Sequence, residues 1–425
     1  MAGESPGAGG CGPSYALTLA MKRILDIALG IVTSVGGFLE IGSIATAAQA
    51  GASFGFQLAW AIALGTVCIA FLVEMGGRFA AVSKHTIADA MRERFGVPFF
   101  TTLTVVMLGV SLLVLAAEVG GVGAALKMAT GLPIPVWAIP VALVAWGLLW
   151  YTTFGVIENG VSILGLVTVA FVVGAVKLHP NYGEVARGFI PSLPKEDAAK
   201  YWFTAVSILG ASISPYLFFF YSSGAIEDKW DETYLWSNRA IATIGMGFGG
   251  FLSVAVLVLA AMIFHPHNID VEHYQQLPEL LSPILGRPGF WLVVASLAIA
   301  CLGATLEIAL ALAYLVAQGL GWTWGENVKP RQDARFCLLY TVLVFAASIF
   351  SLVGVDPLKM TQISMSLTAA SLPIGVLPFL VLMNDKSYLH DHTNRIAGNI
   401  VVMFISLLAS VLAIISIPLQ IVGSS

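Results

Sequence analysis

From residue 26 to residue 421 the chain is built of apolar runs separated by short polar connections. Each run is about twenty residues or longer, which at about 1.5 Å of rise per helical residue matches the hydrocarbon thickness of a bilayer. The runs lie near 26–50, 53–79, 99–126, 134–153, 157–177, 200–224, 237–264, 288–318, 335–353, 357–383 and 396–421. Soluble domains carry about 25% charged residues. Here 10% of the 425 residues are charged and 58% are hydrophobic, too little polarity to cover a water-facing surface. The expected fold class is therefore an all-α polytopic membrane protein with eleven transmembrane helices, residues 21–421 forming one membrane domain. Residues 1–20 are rich in Gly, Pro and Ser and lack the basic-then-apolar order of a cleaved signal, so a disordered cytoplasmic tail is expected there.

Several functions are excluded at once. A net charge of −4 without a basic block gives nucleic acid nothing to bind. Cys11, Cys68, Cys301 and Cys337 are scattered with no CxxC pair, which argues against a zinc site or disulfide framework and for small apolar packing at Cys68 and Cys301. No serine sits in a nucleophile-elbow motif, and the histidines at 85, 179, 265, 267, 273, 390 and 392 all fall in connections. The chain is not expected to be an enzyme or to carry a cofactor.

Direction follows from Lys and Arg in the connections. With the N-terminus inside, thirteen face inward: Lys22, Arg23, Arg78, Lys84, Arg92, Arg94, Lys229, Arg239, Lys329, Arg331, Arg335, Lys386 and Arg395. Seven face outward: Lys127, Lys177, Arg187, Lys195, Lys200, Arg287 and Lys359. The expected topology puts the N-terminus in the cytoplasm and the C-terminus outside, in a plasma membrane of the bacterial inner-membrane type. A monomer is expected.

Two runs contain features that a membrane helix should avoid. The first places Glu40 near its middle, followed by Gly42 and Ser43. The sixth reads SILGASISPYLFFFYSSG, with Pro215 in mid-segment. Proline lacks an N–H and clashes with the preceding turn, so that helix should break just before it. Interrupted segments at matching positions in two halves point to an inverted-repeat transporter. Five spans per repeat give repeat one over 26–177 and repeat two over 200–383, running in opposite directions, with 396–421 added. A charge at a helix centre costs about 2.5–3.5 kcal/mol on insertion scales. Glu40 should thus face a ligand or, on the plainer reading, be hydrogen-bonded to the facing break as internal glue.

With both breaks placed, the chain resembles the NRAMP family of divalent-metal transporters. That family's first break reads Asp-Pro-Gly-Asn before an Ala-Gly-Ala-x-Phe-Gly run; here Glu40-Ile41-Gly42-Ser43 precedes QAGASFG (49–55). Its sixth span reads Gly-Ala-x-x-Met-Pro-His-Asn before His-Ser-Ser; here GASISPYL (210–217) precedes YSS (221–223). GRFAAVSKHTIADAMRERFG (77–96), AAEVGGVGAAL (116–126), RGFIPSLP (187–194), TQISMSLTAASLPIGVLPFL (361–380) and NDK (384–386) continue the likeness in order. The resemblance implies a LeuT-like five-plus-five fold with a cation site between broken helices 1 and 6.

The departures concentrate at that site. The family's aspartate is Glu40, its proline Ile41 and its asparagine Ser43. Its methionine is Ser214, and its two span-6 histidines are Tyr216 and Tyr221. One span-3 acid is Leu115, while Glu118 persists. Carried over by position, the ligands would be the Glu40 carboxylate, the Ser43 and Ser214 hydroxyls, the Ala211 carbonyl and the Gln362 side chain, with Gly42, Ser212, Tyr216 and Tyr221 adjacent. All of these donors are oxygens, which suits Mg²⁺ or Mn²⁺ ahead of Fe²⁺. With no histidine in the spans, proton coupling should be weak or absent. Glu118 is the remaining relay candidate, and Glu307 is a second buried acid that replaces a lost group or pairs with a tyrosine. Two alternatives stand beside metal transport: a Na⁺- or H⁺-linked carrier of a small amine or amino acid, and a transporter-like sensor or scaffold. Glu74 and Arg78 should form an i,i+4 pair, and FHPHNID (264–270) should be a solvated loop rather than a metal collector.

Overall fold

A computed structural model describes residues 40–151, 166–192, 197–325 and 328–423. The expected tail at 1–20, the first half of the 26–50 span and all of 152–165 lie outside the described residues. Twelve helices carry the architecture: α1 Ile41–Phe54, α2 Ala59–Ser83, α3 Ile87–Thr130, α4 Ile134–Tyr151, α5 Val169–Lys177 and α6 Ala198–Ser212 come first. They are followed by α7 Pro215–Glu227, α8 Leu235–Ile263, α9 Arg287–Leu320, α10 Ala334–Leu352, α11 Pro357–Met383 and α12 Ile396–Gly423. No strand occurs among the described residues. Counting α6 with α7 as one crossing, nine segments among the described residues are long and apolar enough to span a membrane. The expected count of eleven also needs the 26–50 and 157–177 spans, each of which begins outside the described residues.

Most boundaries follow the local chemistry. Asp356 caps α11 by accepting the amides of Leu358 and Lys359, so that helix starts where the apolar run starts. The second span is displaced from 53–79 to Ala59–Ser83, because Gly55 adopts φ 59°, ψ −129° and ends α1. The 77–96 connection is itself partly helical. It forms the start of α3, which kinks at Gly96 (φ 83°) just before Pro98.

The interrupted segments are innermost. α1 packs on α8 and α6, α7 packs on α2 and α9, and α3 and α11 pack across the same centre. α4 and α10 lie together at the periphery, while α12 covers α11 and α6. Of the most apolar window of α6–α7, 94% is buried within the protein, so its broken backbone never meets lipid. The end of the bundle that holds Lys84, Arg94 and Lys386 is tied by Arg78. This side chain is 7% exposed and grips Glu74 through two 3.0 Å bonds while donating to the His392 carbonyl and Asn394. The expected Glu74–Arg78 pair is thus the core of a knot joining α2 to the approach to α12. At the opposite end, Asp270 accepts from Ser53 at 2.6 Å and Lys200 at 2.8 Å, pinning the 264–281 connection over α1 and α6.

Close approach at the centre depends on missing side chains. A Cβ at Gly210 would overlap the Met365 carbonyl oxygen, a backbone atom that cannot swing aside. Gly210→Ala should therefore lower the stability of detergent-solubilised protein by about 1–3 kcal/mol, the usual cost of overpacking. Gly109→Ala, with nothing within 4 Å of the new methyl, should not. Equal melting temperatures for the two variants would contradict this packing.

Candidate functional site

The break in the sixth span falls at Ile213 and Ser214, between α6 and α7, with Pro215 as the first residue of α7. Proline there has a local consequence. In an unbroken helix the Ala211 carbonyl would accept from the amide of residue 215, and proline has none, so that carbonyl loses its helical partner. In the first span α1 begins at Ile41, directly after Glu40, whose backbone is extended (φ −94°, ψ 171°); the part of that span before Glu40 lies outside the described residues. Gly42 and Ser43 are helical, so they do not form the break; Gly42 instead allows a neighbour to close in.

The two breaks meet at the Glu40 side chain. Ser214 donates to Glu40 Oε1 at 3.0 Å and Tyr216 donates to Oε2 at 2.8 Å. Glu40 is 1% exposed. Its carboxylate is thus held by two hydroxyls on either side of Pro215, each bond to a charged acceptor contributing about 1.5–3 kcal/mol. One residue on, the Ile41 amide donates to Glu118 Oε1 at 3.1 Å. Glu118 Oε2, also buried, has no hydrogen-bond partner among the described residues, and Cys301 of α9 stands beside this carboxyl group. Two carboxyl groups from α3 and the α1 terminus therefore share one closed, polar centre. Charged groups this deep persist only where they face a partner, a cavity or a cargo.

The remaining expected residues divide. Ser43 Oγ donates to the Glu40 main-chain carbonyl at 2.8 Å, bracing the extended residue. Glu307 lies within electrostatic range of the Tyr216 hydroxyl, which brings it to the same centre from α9. Ser212 turns away, its Cβ and Oγ filling the space over Gly65 of α2. Tyr221 is two turns farther along α7 and stacks edge-on against Trp230 at 5.4 Å. Gln362 sits near the start of α11, where its carbonyl accepts from Ser366; no described hydrogen bond joins its side chain to Glu40. The residue of α11 that does reach the centre is Met365, whose thioether lies over Gly42. Its place in an apolar run gave no sign of this.

No group of three His, Cys, Asp or Glu arranged to hold a metal occurs among the described residues. The histidines of the 264–270 connection are occupied otherwise: His265 contacts the Ala52 carbonyl and His267 the Ile263 carbonyl, each at 2.9 Å. The groups hydrogen-bonded around Glu40 are a sparse set of carboxyl and hydroxyl oxygens.

Among the described residues, a helix broken at Ile213–Ser214 and a helix that begins at the buried acid Glu40 meet inside a bundle of long apolar helices, the architecture of a polytopic membrane protein. The sequence profile described as "Natural resistance-associated macrophage protein-like" matches residues 30–418, and the chain belongs to this Nramp family. A divalent metal cation transporter, MntH, of Yersinia enterocolitica is 26% identical over 381 residues, covering 87% of this chain and 90% of that protein. A crystal structure of the Eremococcus coleocola manganese transporter superposes with a TM-score of 0.75 at 20% identity, covering 99% of this chain and 90% of the other. MhsT in complex with L-phenylalanine gives a TM-score of 0.59 at 13% identity, covering 92% of this chain and 97% of that one. The fold is accordingly the LeuT-like helical bundle.

The Tyr216 bond is testable without any cargo. Tyr216→Phe leaves Oε2 of a buried carboxylate short of its donor, and should cost about 1.5–3 kcal/mol of stability in detergent. Tyr182→Phe, at a side chain 65% exposed, should cost nothing measurable. Indistinguishable melting curves for the two would mean that the hydroxyl does not hold Glu40.

Proposed function

We propose that this chain is a secondary-type transporter that carries a hard divalent cation, Mn²⁺ or Mg²⁺, across the membrane by alternating access. The observation that carries the reading is the Glu40 carboxylate held at the junction of both interrupted helices by Ser214 and Tyr216. Around it, the Ala211 carbonyl lacks a helical donor and Glu118 Oε2 lacks a partner, so further oxygens are available to a cation that retains part of its water. Gln362 and Ser43 would contribute oxygens after a small rearrangement of α11 and the α1 terminus, with Gly42 and Ser212 as close-packed neighbours. Family membership and relatives named for divalent metal or manganese transport support the substrate class.

In this reading Glu118 and Glu307 are the acids that adjust charge when cargo enters and leaves. All seven histidines lie outside the long helices, so the bundle has no group that titrates near neutrality in its ordinary form. Coupling to protons is accordingly weak or absent. An inside-negative potential would draw a divalent ion inward with about 4.6 kcal/mol per 100 mV, twice the single-charge value. The five-plus-five repeats (26–177 and 200–383) rock around the site, and the Lys/Arg-rich end faces the cytoplasm, which puts the C-terminus outside.

Proteoliposomes decide the matter. Wild-type protein should take up Mn²⁺ and Mg²⁺ when the potential is inside-negative, Glu40→Gln should abolish uptake, and the lumen should not acidify with metal entry. Uptake of Cd²⁺ with no response to Mn²⁺ or Mg²⁺ would refute the hard-ion reading. A melting temperature raised by amines or amino acids, with no divalent ion bound, would replace it with an organic-solute carrier.

A further inference from the structure

The oxygen donors around Glu40 do not tell Mn²⁺ from Mg²⁺. One side chain at the same place has different chemistry. Met365 of α11 is fully buried and touches both breaks: its backbone carbonyl lies against Gly210, one turn before the gap in the sixth span, and its side chain lies over Gly42, in the first turn after Glu40. A Cβ at Gly42 would overlap Met365 Cε and would sit 2.9 Å from Sδ and 3.3 Å from Cγ. The terminal methyl of the thioether therefore occupies the space that any residue other than glycine would fill at position 42, with the sulfur directly beside it. That glycine is helical with φ below zero, so backbone freedom is not what requires it. Room for the thioether is.

We infer that Met365 is a specificity-determining residue that offers a soft sulfur to the cargo from α11, in the site where position 214 offers only a hydroxyl. Thioethers favour later or softer divalent metals and bind Mg²⁺ poorly, whereas Mg²⁺ is content with oxygens and water. An unbranched side chain with three rotatable bonds reaches a bound ion by rotamer change alone, without moving α11. This inference rests on the divalent-cation reading and narrows it: of the two hard ions, Mn²⁺ is the cargo, Cd²⁺ is accepted as a soft mimic, and Mg²⁺ is discriminated against by the sulfur.

The test compares wild type with Met365→Leu and Met365→Gln, using the metals alone. Leucine nearly conserves volume and removes the sulfur; glutamine keeps the length and supplies an oxygen. Titration calorimetry and uptake should show the Cd²⁺-to-Mg²⁺ and Mn²⁺-to-Mg²⁺ preferences falling roughly tenfold or more in both variants, the scale on which lost support around a bound metal is felt. The ¹¹³Cd resonance of the wild-type complex should lie at the frequency of a sulfur-containing site and move to that of an all-oxygen site in Met365→Gln. Because each readout is a ratio or a frequency, it does not depend on how much variant folds; if leucine is not tolerated, glutamine carries the comparison. Unchanged ratios and an unmoved resonance, in protein that still transports divalent ions, would overturn the role of Met365 and leave the transport reading standing. Absence of any divalent binding in wild type would remove both.

Discussion

In a bilayer core, every backbone N–H and C=O must find a partner inside the protein, and this rule decides where the helices of this chain can stop. Pro215 removes one donor and thereby orphans the Ala211 carbonyl. Glu40, extended rather than helical, marks the start of α1, whose first amide, Ile41, bonds to the Glu118 carboxyl group. Such defects are tolerable only at the innermost place in the bundle. The packing of α3, α8, α9 and α11 around α1, α6 and α7 supplies that place. The polar centre follows from the breaks, since the groups they release are those that partner one another there.

The hydrogen bonds at the centre form a short relay of dependencies. Glu118 accepts from the Ile41 amide, which is one of the donors freed by the start of α1. Ser43 holds the Glu40 carbonyl, and the Glu40 carboxylate holds Ser214 and Tyr216 on the far side of the second gap. Each carboxyl group thus ties a helix end to another element, as the plainer reading of internal glue requires. The same bonds gather two acids and two hydroxyls at one buried centre, as the proposed cargo binding requires. The two readings describe one arrangement. Under the proposed transport reading, an entering ion would exchange these contacts for its own coordination, which makes the protein's donors to Glu40 competitors of the cargo.

The sequence made the helices legible because bilayer thickness sets their length, and it made the second gap legible because proline acts on its immediate neighbours. The span written as 357–383 and α11 share their bounds for this reason, with Asp356 capping one end. The first gap was displaced by a residue or two. Gly42 and Ser43 have weak helix propensity, yet tertiary packing holds both in α1 and leaves Glu40 as the interrupted position. Side-chain directions at the gaps were not legible, because they depend on partners distant in sequence: Ser214 and Tyr216 reach an acid 174 and 176 residues away. Ser212, two positions earlier, is carried round the helix to Gly65. The sequence pointed to Gln362 on this span because its side chain can offer an oxygen, and nothing in the sequence singled out Met365. Three residues on an α-helix span most of a turn, and that rotation chose the thioether.

The departures from the family pattern are better understood as one change than as several. Glutamate is longer than aspartate by one methylene, so an acid at position 40 projects its carboxylate farther from the α1 terminus. Tyrosine carries its hydroxyl at the far end of a ring, where it donates at 2.8 Å to Oε2, while the short Ser214 donates at 3.0 Å to Oε1. A long acid, a long donor and a short donor fill the gap in a way that aspartate, histidine and methionine at the same positions would not. Replacing methionine by serine at 214 also removes the bulk beside the gap, and the chain has a methionine entering from α11 over a residue that must be glycine to admit it. The site is coupled through volume as well as through charge, and its metal preference has to be argued from the whole set of side chains together.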